Sequence, residues 1–297
     1  MVIKKKYNHK IDYEKVNELL YDSFELDKNI NWVQPRWEYM HYHSIQNPQE
    51  CIHYGVWYDN DMLIAIVHHE LSLGKAYLEI KSGYEHLKEE MIVHAEDNLY
   101  VTNEGNKSLE VYCREFDEET NNILKSKGYE RIKMDSPWLI MTKIEPKEVE
   151  IPSLPEDYKL KGLDEENDLA KIDRALWRGF NHEGEPDGDL SGRKRMQSAP
   201  NYNLYLNVVI KHISSSNYVS YSGSWYDPVN KIGLIEPVAT DPDFRKKGLG
   251  KIAVLECVKR LGELGAHTVY VESGIPFYQK IGFKPVYKTH VWIKSFS

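Results

Sequence analysis

The chain has 297 residues, 41% hydrophobic and 28% charged, with a formal net charge of −8. That length predicts two domains with proper cores, and the acidic balance excludes a general nucleic-acid binder, which carries a basic excess. Cys51, Cys113 and Cys257 are widely spaced and form neither a CxxC motif nor a paired framework, so reduced thiols and a cytoplasmic location are expected.

The first residues, "MVIKKKYNHKIDYEKVNELL", have lysines with no apolar stretch behind them, so no secretory signal is expected. The longest apolar run, about "MLIAIV", is far short of a membrane span. His41, His43 and the pair His68-His69 suggest a metal only weakly, because no third ligand is spaced with them, and no metal is expected. Further on, "EIKSGYEHLKEEMIVHAEDNL" (79–99) passes from strand to helix. Between Glu145 and Asp157, "EPKEVEIPSLPED" holds three prolines, which fix their own φ and disfavour helix before them. This divides the chain into a first domain (1–145), an extended linker (146–157) and a second domain (158–297).

The halves resemble each other. "ILKSKGYERIKMDSPWLIMTK" (123–143) aligns without a gap on "FYQKIGFKPVYKTHVWIKSFS" (277–297), pairing Gly128 with Gly282, Tyr129 with Phe283 and Trp138 with Trp292. In each copy a short helix ends at a glycine suited to the left-handed C′ position, and a strand follows. "SLEVYC" resembles "HTVYVE", and "AYLEI" resembles "GLIEP", which sets Glu79 against Glu236. Three matches in one order read as a duplication.

In the second half, Leu169, Ile172, Leu176 and Phe180 space as one helix face. "LYLNVVIK" (204–211), "YVSYSGSWY" (218–226) and "IGLIEPVAT" (232–240) read as strands. Leu249, Ile252, Ala253, Val258 and Leu261 line a long helix that stops near Gly265; "TVYVE" is a buried-type strand, and 284–294 close the sheet. The fold class is α/β with a mixed sheet, without the regular alternation of a Rossmann fold.

Before the long helix stands "DPDFRKKGLGK" (241–251), with two glycines among lysines. A helix N-terminus offers unpaired N–H groups and the positive dipole end, a ready anion site. Gly248 and Gly250 lack a Cβ, so a bulky anion such as a pyrophosphate can approach the main chain. Neither GxxxxGK[ST] nor GxGxxG is present. On these residues alone the stretch reads equally well as a surface turn with solvated lysines.

Arg245-Lys246-Lys247-Gly248-Leu249-Gly250 resembles the R/Q-x-x-G-x-G/A pattern of the GNAT superfamily of N-acetyltransferases. "IEPVAT" precedes it at the usual distance, and "PFYQKIGF" (276–283) resembles the family's closing "FYxKxGF". The resemblance covers about residues 160–295 and implies two tandem GNAT-like acyl-CoA N-acyltransferase domains. It implies acetyl-CoA as co-substrate, with its pyrophosphate at Lys246 to Lys251 beside Arg245. Pantetheine would lie like an added strand along Val238, Ala239 and Thr240. The first half matches only in outline: it has no RxxGxG, and Glu85, Glu89 and Glu90 place negative charge where the pyrophosphate would sit. It reads as a degenerate domain with a structural or substrate-shaping role.

Acetyl transfer to an amine needs a neutral amine, an oxyanion donor and a proton for the leaving thiolate. The N–H near Val238 can serve the oxyanion. The resemblance assigns Tyr278 as the general acid; without it, "FY" at a helix start is as well explained by core packing. Glu236, two residues before Val238 and so on the same strand face, matches a glutamate that works as a base through water in several small-molecule GNATs. A strand-edge carboxylate paired with a lysine explains it equally. "FNHEGEPDGDLSGRKRM" (180–196) lies where the family builds its acceptor pocket, and a mobile polar loop fits it better than a defined charge site. Cys257 reads as core. The implied activity is direct transfer of acetyl to a primary amine of a small molecule, by a monomer with an internal pseudo-dimer of halves. The alternative is a module that senses acetyl-CoA without turnover; it would need the anion loop but neither proton-transfer group.

Overall fold

The structure, a computed structural model, describes residues 1–133 and 136–296. Its contacts divide the chain into two units. The first comprises Met1–His41, Ile45–Met141 and Val286–Ser297; the second comprises Tyr42–Ser44 and Thr142–Pro285. Among the described residues no helix is long and apolar enough to cross a membrane.

The first unit runs β1 (Val2–Lys6), α1 (His9–Asp22), α2 (Gln34–Tyr42), β2 (Gly55–Asp59), β3 (Met62–His68), β4 (Lys75–Ile80), α3 (Lys88–Asn98), β5 (Val101–Asn103), β6 (Asn106–Arg114), α4 (Glu118–Ser126) and β7 (Glu130–Arg131). Its path continues through β8 (Ile140–Ile144), which passes into the second unit at Thr142. The sheet order is β1-β2-β3-β4-β6, antiparallel except where β4 meets β6 in parallel. β3 is buried from Leu63 to His68 because helices cover both faces of a central strand. Val16, Leu19 and Leu20 of α1 and Met91, Ile92 and Ala95 of α3 supply apolar stripes at helical spacing.

The second unit continues with β9 (Tyr158–Gly162), α5 (Leu169–Gly179), α6 (Ser191–Gln197), β10 (Val208–His212), β11 (Tyr218–Asp227), β12 (Ile232–Thr240), α7 (Leu249–Glu263), β13 (Thr268–Glu272), α8 (Pro276–Lys280) and the start of β14 (Lys284–Phe296). Its sheet runs β9-β10-β11-β12-β13, with only β12 and β13 parallel. Alternation on β10 sorts two cores. Val208 and Ile210 join Ile252, Val258 and Leu261 of α7 on one face, and Val209 joins Ile172, Ala175 and Leu176 of α5 on the other. The unit is therefore a sheet between two helices.

The expected strand over 204–211 begins later, because Leu204–Leu206 form a short turn capped by Asn203, whose side chain accepts from Tyr205 N–H. Of the residues expected to close the second domain's sheet, only the start, up to Pro285, belongs to the second unit. From Val286 they belong to the first unit, since β14 pairs with β6 from Thr289↔Arg114 to Phe296↔Lys107. Beside β13 stand Thr142–Ile144 instead, with Thr142 Oγ1 donating to Val271 O at 3.3 Å and Ser273 O at 3.2 Å. The proline-rich stretch is not extended throughout, since Pro146–Glu148 form a short helical turn, and it is not loose: Val149, Ile151 and Leu154 pack on the second unit's core, and a Cβ on Gly262 would meet Pro146 at 2.5 Å.

The duplicated helix ends share one geometry. Gly128 and Gly282 have φ of +81° and +111°. Gly128 N–H donates to Lys125 O and Tyr129 N–H to Leu124 O; Gly282 N–H donates to Gln279 O and Phe283 N–H to Tyr278 O. The likeness fades beyond: Trp138 is 62% exposed and Trp292 8%. Met134, Asp135 and Ser297 in the aligned copies lie outside the described residues.

Candidate active site

The site is built where β12 and β13 part. Their pairing covers only Ile232↔Thr268 to Leu234↔Tyr270, so among the described residues no strand pairs with the rest of β12 on that side, which leaves a free edge. On the other side β12 remains paired to β11 up to Ser220↔Thr240. Asp241 N–H donates to Val219 O at 3.0 Å, which fixes the phase of that ladder. Ala239 therefore turns its N–H and C=O toward β11, while Val238 and Thr240 turn theirs to the free edge. The Thr240 carbonyl is covered by Arg245 Nε at 3.0 Å. Val238 keeps the edge groups closest to Glu236.

A β-bulge sits here. Ser224 faces Ile235 and Ser222 faces Val238, so Glu236 and Pro237 together oppose Gly223. A Cβ on Gly223 would lie 2.7 Å from Glu236 O, and Trp225 Nε1 donates to that carbonyl at 3.1 Å. The bulge corrects the expectation that Glu236 and Val238 share a face by simple alternation. Ile235 and Val238, three apart, pack in the same core, while Ala239 joins the other. What links Glu236 to the site is its charge beside Tyr278.

Tyr278 lies in the first turn of α8 and is 6% exposed. Burial, with the Glu236 charge second, pushes its phenol above the ordinary tyrosine range, so it stays protonated. No hydrogen bond engages its hydroxyl among the described residues. The ring is held edge-on by Phe277 and Phe283 at centroid distances of 5.0 and 5.5 Å.

The anion loop follows β12. Residues 245–248 are exposed, and Leu249, 1% exposed, anchors α7 in the core. Lys246 (φ 61°) and Gly248 (φ 80°) are left-handed, a turn that can gather successive N–H groups toward one point. The helix ladder starts with Ile252 N–H on Gly248 O, so the N–H groups just before it have no partner within the helix. A Cβ on Gly250 would meet Thr240 Oγ1 at 3.0 Å and Phe277 at 3.6 Å, so close packing by itself favours a glycine here. The lysines differ in their commitments. Lys247 Nζ is 3.5 Å from Tyr158 Oη and lies over the Phe244 ring, whereas Lys246 and Lys251 flank the turn. Arg245, which the resemblance places on the pyrophosphate, spends its guanidinium on two carbonyls, Thr240 O and Gly179 O (2.7 Å).

Other sequence candidates settle elsewhere. Cys257 is fully buried, its Sγ donates to Ser222 O at 3.2 Å, and burial pushes its thiol up to about 11, unsuited to a nucleophile. In 180–196, Asp187 and Asp189 accept backbone N–H groups of their own turn, Arg193 pairs with Asp173 at 2.9 Å, and His182 stacks on Trp177. His68 Nε2 is hydrogen-bonded to Glu79 Oε1 at 3.0 Å inside the first unit, and burial pushes the His69 imidazole down to about 3. Among the described residues no group of three His, Cys, Asp or Glu is placed to hold a metal.

The sequence model of the Acetyltransferase (GNAT) family matches residues 170–283, the stretch that carries α5, β12, the anion loop and Tyr278. Within the second unit, this stretch is similar to a GNAT acetyltransferase domain. A glucosamine 6-phosphate N-acetyltransferase from Trypanosoma brucei brucei is 36% identical over 56 residues, 18% of this chain and 38% of that protein. Among solved structures, a tandem GNAT protein from the clavulanic acid biosynthesis pathway covers 99% of this chain and 98% of its own, at 11% identity and TM-score 0.60. A GCN5-related N-acetyltransferase from Sphaerobacter thermophilus covers 99% and 95%, at 14% identity and TM-score 0.58. The GNAT fold likeness thus extends over the whole chain, and the mixed α/β class is the one expected.

Sequence reasoning missed Gly179, Trp225 and Asp241. Gly179 is the clearest: a Cβ there would lie 2.5 Å from the Ala239 Cβ and 3.0 Å from Thr240 N. Its only sequence signal was a glycine at the end of an otherwise regular helix.

Proposed function

We propose that the chain is an acetyl-CoA-dependent N-acetyltransferase that passes acetyl directly to a primary amine of a small molecule. One arrangement carries this reading: β12 loses its partner just before Glu236, whose charge adds to burial in keeping the Tyr278 phenol protonated, and an exposed left-handed turn follows the strand. The main chain of Lys246 to Lys251 would hold the pyrophosphate, and the free edge at Val238 would take the pantetheine amide. The amine nitrogen attacks the acetyl carbonyl carbon while Glu236 accepts the amine proton, directly or through water. The Val238 N–H donates to the developing oxyanion. As the C–S bond breaks, Tyr278 gives its proton to the thiolate. No acyl-cysteine is required, consistent with the buried Cys257.

The three buried cysteines, all free thiols rather than disulfides, suit a cytoplasmic enzyme, and we take it to work as a monomer with one live domain. A sensor of acetyl-CoA has no use for the Tyr278–Glu236 pair. Screening a panel of amines, amino sugars included, for acceptor-dependent release of free CoA tests the proposal. Tight acetyl-CoA binding with no release on any amine and no slow hydrolysis would favour the sensor.

A further inference from the structure

The turn before the anion loop is fastened by groups that none of the roles above uses. Asp241 is 1% exposed and accepts Arg178 Nε on Oδ2 at 2.5 Å and Arg178 Nη2 on Oδ1 at 3.0 Å. Oδ1 also accepts Asp243 N–H at 3.1 Å, and Arg174 Nη1 lies 3.6 Å from Oδ2. Arg178 Nη2 reaches Asp243 Oδ2 at 2.7 Å as well. Burial alone would raise the Asp241 carboxyl, but the Arg178 and Asp243 hydrogen bonds and the two arginine charges hold it below the ordinary range.

A second guanidinium points the opposite way. Arg245 reaches from the loop to Gly179 O, the last residue of α5, and to Thr240 O, the last of β12. Gly179 itself packs against Ala239 and Thr240 with no room for a Cβ. The end of α5, the end of β12 and the turn before α7 are therefore one fastened corner. Bidentate arginine–carboxylate pairs fix direction as well as distance. For stability alone, an apolar replacement of such a buried pair is often as good or better.

We infer that Asp241 and Arg178 are positioning residues for the anion loop: they fix where α7 starts, so that the N–H groups of 246–251 are aimed before a pyrophosphate arrives. This rests on reading that loop as the acetyl-CoA site. Preorganisation raises affinity by removing the cost of ordering the loop on binding. Charge alone argues the other way. A carboxylate beside an anion site repels the ligand, and removing it would leave Arg178 with Asp243 and Arg174 with Glu185, a corner one negative charge poorer. Electrostatics therefore predicts tighter binding in Asp241→Asn, and positioning predicts weaker binding.

The experiment titrates acetyl-CoA and acetylpantetheine, which lacks the pyrophosphate, against the full chain and its Asp241→Asn and Arg178→Lys variants. Asparagine can still accept the Asp243 N–H, so the turn's own cap is kept. Acetyl-CoA affinity is expected to fall about tenfold in both variants, with acetylpantetheine affinity within about twofold of wild type. Unchanged or tighter acetyl-CoA binding in folded Asp241→Asn overturns the inference, and so does an equal loss for both ligands. Should Asp241→Asn fail to fold, Arg178→Lys, which keeps the charge and loses the fork, carries the same readout. A wild-type chain that binds no acetyl-CoA overturns the underlying functional reading instead.

Discussion

The strand–turn–helix of the first unit, β4 to α3, and that of the second, β12 to α7, start from the same plan and treat their exposed backbone in opposite ways. In the second unit the edge of β12 past Leu234 is left open and the turn beyond it presents left-handed Lys246 and Gly248. In the first unit both openings are closed by side chains. Lys81 N–H donates to Ile64 O, so Ile80 turns its N–H and C=O away from β3, and the Asn31 amide takes both at 2.9 Å. At the turn, Gly83 N–H donates to the Glu85 carboxylate at 2.9 and 3.0 Å, so the chain's own anion occupies the anion place. Glu79, the counterpart of Glu236, is 1% exposed between His68 and Trp32 N–H, and Leu124 stands where Tyr278 stands in the other half. On the proposed reading, the first unit supplies from within the hydrogen bonds that acetyl-CoA would make in the second, so its buried polar groups stay satisfied.

The largest effect that sharpens this contrast is expected at Tyr278. Tyr278→Phe brings the second unit closer to the Leu124 of the first, removing the proton donor and leaving the ring's packing. Once an acceptor is in hand, kcat should fall by roughly 10²–10⁴ with acetyl-CoA affinity unchanged; a loss confined to KM would make the tyrosine a binding residue. Next comes Gly250→Glu, which supplies the second unit with an internal carboxylate as Glu85 does for the first. Acetyl-CoA affinity should drop at least tenfold, about 1.4 kcal/mol, in a variant whose circular dichroism matches wild type. Full affinity would mean that the loop is only a turn.

Glu236→Gln probes the base by its pH dependence. Its rate deficit should shrink as pH rises and free amine becomes plentiful, whereas the Tyr278→Phe deficit should not be rescued in that way. A profile parallel to wild type would place Glu236 with Glu79 as a packing residue. The smallest effect expected is on stability alone. Asn31→Ala leaves the Ile80 N–H and C=O buried without their partner, and should cost about 1–3 kcal/mol in denaturant unfolding, with no change in acetyl-CoA binding. A gain of acetyl-CoA binding in that variant would show the first unit to be masked rather than lost.

What was legible in the sequence was local. The R-x-x-G-x-G turn, the apolar stripe of α7 and the glycine ends at Gly128 and Gly282 each lie within a dozen residues, and each stands where its spacing puts it. What was not legible depended on residues far apart in the chain. Asn31 meets Ile80 and Arg178 meets Asp241 only after the sheet has formed, and nothing in their neighbourhoods marks them. The pairing of β14 with β6 escaped for the same reason, because a strand's composition does not name its partner. At Glu236 the failure was one of periodicity: the two-residue repeat holds only while the ladder does, and the bulge opposite Gly223 interrupts it.

The central claim is that one half of a duplicated fold keeps its acetyl-CoA site and the other has filled its own. Calorimetric titration of acetyl-CoA into the full chain tests it most directly, with Gly250→Glu titrated alongside. The account predicts one site per chain, lost or weakened at least tenfold in the variant. Two equivalent sites, or one site indifferent to Gly250→Glu, would contradict it.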